Sequence, residues 1–238
     1  MAATSQRHIA ILGGSAGIGL STARLAAQHG ARITLGGRNQ ARLDAAAAQV
    51  GGAATVVVDA QDRDSLAGFF RAAGPIDDLV ITVTRRGGGG PADQLAEADL
   101  LGAFAGKTVA HLRAVGLALP TLSEHGSVTL VSGGTAQSAL PGTAAPAAVN
   151  GALEAAVPPL ARELAPRRIN AVSPGVIETG WWDELGDARE EAFTTFAQRT
   201  PLGRNGHPDD VAAAILALVE NRFITGVVLP VDGGLRLT

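Results

Sequence analysis

Apolar runs and helical periodicities alternate along the whole chain. His8–Leu12 is a short apolar run closed by glycines, and Ile18–His29 places its apolar residues at helical spacing. The alternation continues through a strand at Ala31–Leu35, an Ala-rich helix at Gln40–Val50 and a β-branched strand at Ala54–Val58. Arg63–Ala73 reads as a helix and Asp78–Val83 as a fourth strand. A long helical stretch then runs from Asp93 to about Leu119, before a strand at Ser127–Val131. A helix at Ala147–Leu164, a strand at Arg168–Val172, a helix at Asp209–Glu220 and a last strand at Val227–Leu229 complete the pattern. Seven strands separated by helices predict a mostly parallel, doubly wound α/β sheet with helices on both faces and right-handed crossovers. No linker and no repeat divides the chain, so residues 1–238 are expected to form a single domain. Two features break the pattern. Arg85, Arg86 and a run of glycines ending in Pro91 form a loop after the fourth strand, and Pro158-Pro159 falls inside a helical segment, where a kink or restart is expected.

Composition narrows the function. Hydrophobic residues make up 46% of the chain, ample for a buried core, and the net charge of −3 gives no field favouring nucleic acid or a membrane surface. Without cysteine there is no disulfide framework, thiolate nucleophile or sulfur-ligated metal. His8 and His207 lack ligand partners at useful spacing, so no metal is expected. Met1–His8 is short and polar, unlike a secretion signal, and no apolar run approaches the roughly 20 residues that span a bilayer. These absences point to a soluble, cytoplasmic protein acting on a small molecule. The chain also contains no tyrosine, and Lys107 is its only lysine.

The first chemical signal is the glycine cluster between the first strand and first helix. Gly13 permits the tight turn, Gly17 lets the backbone of Ser15, Ala16 and Ile18 approach a pyrophosphate, and Gly19 permits close helix–strand packing. This is the Rossmann-type arrangement for a dinucleotide. An acid after the second strand would select the 2′-hydroxyl of NAD, but the positions there are Gly37 and Arg38. An arginine grips a 2′-phosphate through paired, charge-assisted hydrogen bonds, so NADP(H) is the expected cofactor.

With these motifs the chain resembles the short-chain dehydrogenase/reductase family over nearly its whole length. Leu12–Gly19 is similar to that family's glycine motif, with Leu12 in place of threonine, and Asp59-Ala60 looks like its adenine-contacting pair. The family's Asn-Asn-Ala-Gly segment is altered to Ile81-Thr82-Val83-Thr84, which places Val83 beside the cofactor. Ser173-Pro174-Gly175-Val176-Ile177-Glu178-Thr179 matches its Pro-Gly-x-x-x-Thr segment. The resemblance implies that the Ile177 backbone and Thr179 hold the nicotinamide amide, beside Pro174 and Gly175. It also implies a substrate lid around 179–200 and a homotetramer or homodimer built on the last strand and adjacent helices.

The family's mechanism uses a Tyr-x-x-x-Lys pair, a serine and an asparagine. By resemblance the tyrosine position is Pro146, the lysine position Asn150, the serine position Gly133 (with Ser132 beside it) and the asparagine position Lys107. A chain without tyrosine cannot use a tyrosine acid. The candidate catalytic residues are therefore Lys107, Ser132, Asn150 and His111, the last lying one helical turn from Lys107 and able to relay a proton. Partial burial beside a cationic nicotinamide lowers a lysine pKa toward the range of a general acid. Arg85 and Arg86 stand either as exposed loop charges or as binders of an anionic substrate, and Trp181 and Trp182 as aromatic walls, lid packing or an oligomer contact. Two functions stay open. One is an NADPH-dependent reductase of a C=O, C=N or activated C=C bond with a non-standard site; the other is an inactive NADP(H)-binding sensor or partner.

Overall fold

The computed structural model describes residues 7–85 and 89–238. Its seven strands are β1 (His8–Leu12), β2 (Arg32–Gly37), β3 (Ala54–Val57), β4 (Ile76–Ile81), β5 (Leu122–Val131), β6 (Arg168–Pro174) and β7 (Val228–Val231). They pair in parallel in the order β3-β2-β1-β4-β5-β6-β7. The order reverses between β1 and β4, and an open parallel sheet binds ligands in the crevice beyond the strand ends at such a switch point.

Alternation along β1 shows how the sheet is covered. Ile9 and Ile11 face helices α1 (Gly17–Gln28), α2 (Gln40–Gln49) and α8 (Pro208–Glu220), while Ala10 and Leu12 face α3 (Arg63–Ala73), α5 (Ala110–Ala118) and α6 (Ala144–Glu163). Two apolar layers result, one on each face of the sheet. Two charged groups buried in the sheet are held by hydrogen bonds. Asp78, fully buried, receives Arg7 Nε at 2.7 Å and Ser127 Oγ at 2.6 Å. Arg168 donates to the carbonyls of Leu218 at 2.6 Å and Val219 at 2.8 Å, closing the C-terminal turn of α8.

Three expectations change. The helix from Asp93 to about Leu119 is broken into a 3-10 turn at Ala92–Gln94, α4 at Glu97–Phe104, a π-helical turn at Ala105–Val109, and α5. Apolar periodicity survives the inserted residue on either side, so the pattern reads as one helix. No restart occurs at Pro158-Pro159: α6 runs as one element from Ala144 to Glu163 through both prolines. Each proline removes one backbone donor, and Val157 and Ala161, both buried against the sheet, hold the helix across the gap. The stretch 179–200, expected as a lid, contains a 3-10 segment, Gly180–Leu185, and an unanticipated helix, α7 (Ala188–Arg199). Among the described residues no helix is long and apolar enough to cross a membrane, and no group of three His, Cys, Asp or Glu side chains could hold a metal.

Candidate active site

The crevice begins at the glycine loop. Gly13 and Gly17 have positive φ of 87° and 52°, which a side chain disfavours. A Cβ on Gly19 would lie 2.3 Å from the Gly13 carbonyl, so only glycine lets α1 start this close to β1. Thr82, after β4, ties the loop down: its Oγ1 lies 3.0 Å from the Leu12 carbonyl and 3.1 Å from that of Gly13. Ala16 is the N-cap of α1 and offers no side-chain acceptor, which leaves the first-turn N–H groups open to an anion.

The other predicted cofactor residues line the same strand ends. Arg38 is exposed, and a Cβ on Gly37 would stand 3.4 Å from Ser15 Oγ, which places that hydroxyl at the foot of the arginine. Asp59 is exposed after β3, its Oδ1 accepting from the Gln61 N–H at 2.9 Å; Ala60 is buried and Val83 packs on the α3–α5–α6 layer. Beyond β6, Gly175 donates to the Val231 carbonyl at 3.1 Å, and a Cβ there would press on Asp232 at 2.8 Å. Thr179 approaches the glycine loop from the far side, 3.3 Å from a Cβ placed on Gly17. The Ile177 carbonyl already accepts the Trp182 indole N–H at 2.9 Å. That indole lies against Phe193 and Phe196 of α7, with centroids 6.0 and 5.9 Å away. Trp182 therefore packs α7 against the segment after β6; Trp181 is exposed at 38%.

At the centre of the crevice the π turn carries Lys107. Its Nζ donates to the Ser132 carbonyl at the end of β5, at 2.7 Å, and two of its three N–H groups have no partner among the described residues. Burial pushes its pKa down to about 8, with the Glu154 carboxylate pulling the other way. Ser132, also buried, turns its hydroxyl to Glu154 Oε1 at 2.8 Å, with the Val172 carbonyl 3.1 Å away. Ser173 Oγ donates to the same carboxylate oxygen at 2.7 Å. Asn150 donates through Nδ2 to Thr135 Oγ1 at 2.8 Å, while its buried Oδ1 has no partner among the described residues. Gly133 leaves room for that amide: a Cβ there would come within 2.9 Å of Asn150 Nδ2.

His111 is brought near Lys107 but not into the crevice. It is fully buried, with Nδ1 2.8 Å from the Lys107 carbonyl and Nε2 3.1 Å from that of Ile81. Burial, chiefly, and the neighbouring ammonium push its pKa down to about 3, so the ring is neutral, and both nitrogens face backbone. Arg85 lies along α4, its guanidinium 2.6 Å from a Cβ placed on Gly102 and its own Cβ 2.4 Å from one on Gly106. Those two glycines form the groove that seats it, while Arg86 lies outside the described residues. Sequence reasoning passed over Glu154 and Thr82. Glu154 follows Asn150 by four residues, the helical spacing that puts two side chains on one face, and that spacing was its available signal.

A glycine crevice at the switch point of a parallel sheet, with an ammonium beside the next strand end, defines an α/β oxidoreductase site. The family profile described as enoyl-(acyl carrier protein) reductase matches residues 13–236, and the chain belongs to the short-chain dehydrogenase/reductase family. It is 36% identical over 241 residues to an uncharacterized oxidoreductase of Mycobacterium tuberculosis, spanning 94% of this chain and 90% of that one. Its fold superposes with a TM-score of 0.92 on a reductase/Diels-Alderase from Malbranchea aurantiaca, 26% identical, covering 99% of this chain and 98% of that one. A small-chain dehydrogenase solved in complex with NADPH is 27% identical, with a TM-score of 0.86 over 98% of this chain and all of the other.

Proposed function

We propose that this protein is an NADPH-dependent reductase of a C=O, C=N or activated C=C bond, with Lys107 as the proton donor. The observation that carries this reading is the Lys107 ammonium: part-buried, held by a single backbone carbonyl at 2.7 Å at the strand ends, it has N–H groups left to meet a substrate oxygen. The residues present fit a dinucleotide. The uncapped start of α1 suits a pyrophosphate, exposed Arg38 beside Ser15 suits a 2′-phosphate, and the orphaned Asn150 Oδ1 suits a ribose hydroxyl. The Ile177 backbone and Thr179 would hold the nicotinamide amide.

When bound, the reduced dinucleotide supplies hydride. The chain's share is the proton. A ketone that gains hydride becomes an alkoxide, and a Lys107 N–H delivers a proton to that oxygen, leaving a neutral amine that regains its proton from water. A pKa of about 8 suits this task, because the group is largely protonated at neutral pH and gives its proton up more readily than an ordinary lysine. An iminium substrate needs no such proton. His111, with both nitrogens on carbonyls, is assigned to bracing the π turn and not to a relay. Ser132, whose hydroxyl is committed to Glu154, acts through its carbonyl.

NADPH oxidation against a panel of ketones, imines and quinones tests the reading, with Lys107→Ala and Lys107→Met beside the parent. Turnover by the parent and its loss in both variants support it. Tight NADPH binding with no turnover on any substrate overturns it and leaves the second reading, an inactive NADP(H)-binding sensor or partner. The absence of tyrosine and the engaged Ser132 hydroxyl favour that alternative.

A further inference from the structure

Glu154 is the one acid drawn into the centre of the site, and its surroundings are built for it. It sits on α6 between Leu153 and Val157, both fully buried. Its carboxylate takes donors from three separate elements. Ser132 Oγ, after β5, and Ser173 Oγ, within β6, both reach Oε1, at 2.8 and 2.7 Å. Gln137 Nε2, from the 3-10 turn Gly134–Gln137, reaches Oε2 at 3.0 Å. Each of the three is a hydroxyl or amide donor directed at a carboxylate oxygen. Packing the helix on the sheet does not require an anion there, since apolar neighbours already do so.

The same residue joins this carboxylate to the ammonium. Ser132 gives its hydroxyl to Glu154 and its carbonyl to Lys107, at 2.8 and 2.7 Å. We infer that Glu154 is a positioning residue for Lys107: through Ser132 it fixes the carbonyl that holds the ammonium, and it supplies the negative charge that faces it. This rests on the reading of Lys107 as proton donor. Among the described residues, the charged or titratable groups near Lys107 are Glu154 from α6, neutral His111 from α5, and Arg85, which follows β4 and packs on Gly106, the residue before the lysine. Only the first opposes burial by favouring the protonated lysine. Without it, desolvation acts unchecked, and the ammonium loses its proton at a lower pH.

The test exploits a property of the sequence. Lys107 is the only lysine, so protein grown on lysine labelled with carbon-13 at Cε gives a single side-chain resonance whose titration belongs to this residue. The parent should titrate near 8, and Glu154→Gln lower by about one unit. Ser173→Ala, which removes one hydrogen bond and no charge, should move it by a few tenths at most. An unchanged titration in folded Glu154→Gln overturns the inference. If that variant does not fold, Glu154→Asp replaces it. This substitution keeps the charge but draws it back from Ser132, so a smaller downward shift is expected and no shift is the overturning result. The titration needs no substrate. A shifted Lys107 in a protein that never turns over therefore sinks the reductase reading alone, whereas turnover with an unmoved Lys107 sinks this inference alone. In an active enzyme the basic limb of the pH–rate profile should move down with the resonance.

Discussion

The ammonium of Lys107 and the main-chain carbonyl of Ser132 lie 2.7 Å apart, joining the π turn to the end of β5. Burial lowers the pKa of this part-exposed ammonium to about 8, so its charged form is disfavoured in the fold relative to an ordinary lysine.

Removing this cation should therefore separate activity from stability. Lys107→Met is expected to cut turnover on a ketone by about 100- to 10,000-fold, the range for loss of a general acid, while thermal stability at pH 7 holds or rises. The parent has a pH signature that the variant lacks. Lys107 titrates near 8 in the fold against 10.5 in the unfolded chain, so between these values the unfolded chain binds more protons. The site's penalty is full below pH 8 and fades toward 10.5, so the parent should gain stability relative to Lys107→Met across that window. Urea unfolding at pH 7 and pH 9.5 checks the sign.

On the proposed reading, Arg38 carries the choice between dinucleotides. Arg38→Ala should weaken NADPH by about 10- to 100-fold, the loss of one to two charge-assisted hydrogen bonds, and leave NADH nearly unchanged. Thermal stabilisation by each dinucleotide measures both effects. Equal losses for the two would assign Arg38 to the surface.

Gly19 and Gly68 should respond in opposite directions to the same substitution. Gly19→Ala forces a Cβ to within 2.3 Å of the Gly13 carbonyl and should cost about 1–3 kcal/mol together with dinucleotide binding. In Gly68→Ala, on α3, the new methyl meets only the end of Arg71 at 3.7 Å, and stability should rise by about 0.5–1 kcal/mol. Chemical denaturation of the two variants against the parent decides both.

Gly133 and Asn150 should be coupled. Gly133→Ala puts a Cβ 2.9 Å from Asn150 Nδ2 and should destabilise alone, whereas in an Asn150→Ala background the space is open. A double-mutant cycle is expected to show the second substitution relieving the first by about 0.5–3 kcal/mol. Strict additivity would show that the two side chains do not share space.

Much of this architecture was legible in the chain. Alternating periods fixed the element order and the parallel sheet because burial on one helix stripe or on both strand faces leaves a direct imprint on sequence. The glycines of the first turn were legible for a related reason: positive φ and a close approach admit no other residue at Gly13 and Gly19. Strand β4 was less so, observed at Ile76–Ile81 where Asp78–Val83 was expected. Its lower end carries Asp77, whose carboxylate accepts from the His8 N–H, and Asp78, whose burial depends on Arg7, about 70 residues away, and on Ser127. Glu154 was overlooked because a lone acid on a helix normally marks its wet face.

By itself the sequence determined that this is a dinucleotide-binding sheet with no tyrosine to act as an acid and one lysine to consider. Only the tertiary structure decided what that lysine touches. The π turn adds a residue without disturbing the apolar pattern, yet it sets where Lys107 emerges. The closures of β5 and β6 then bring Ser132, Ser173 and Glu154 together over separations of 19 to 22 residues from the helix. Burial and charge supplied by distant segments have no period and leave no mark on local composition, so a pKa set by them is written in the fold and not in the chain.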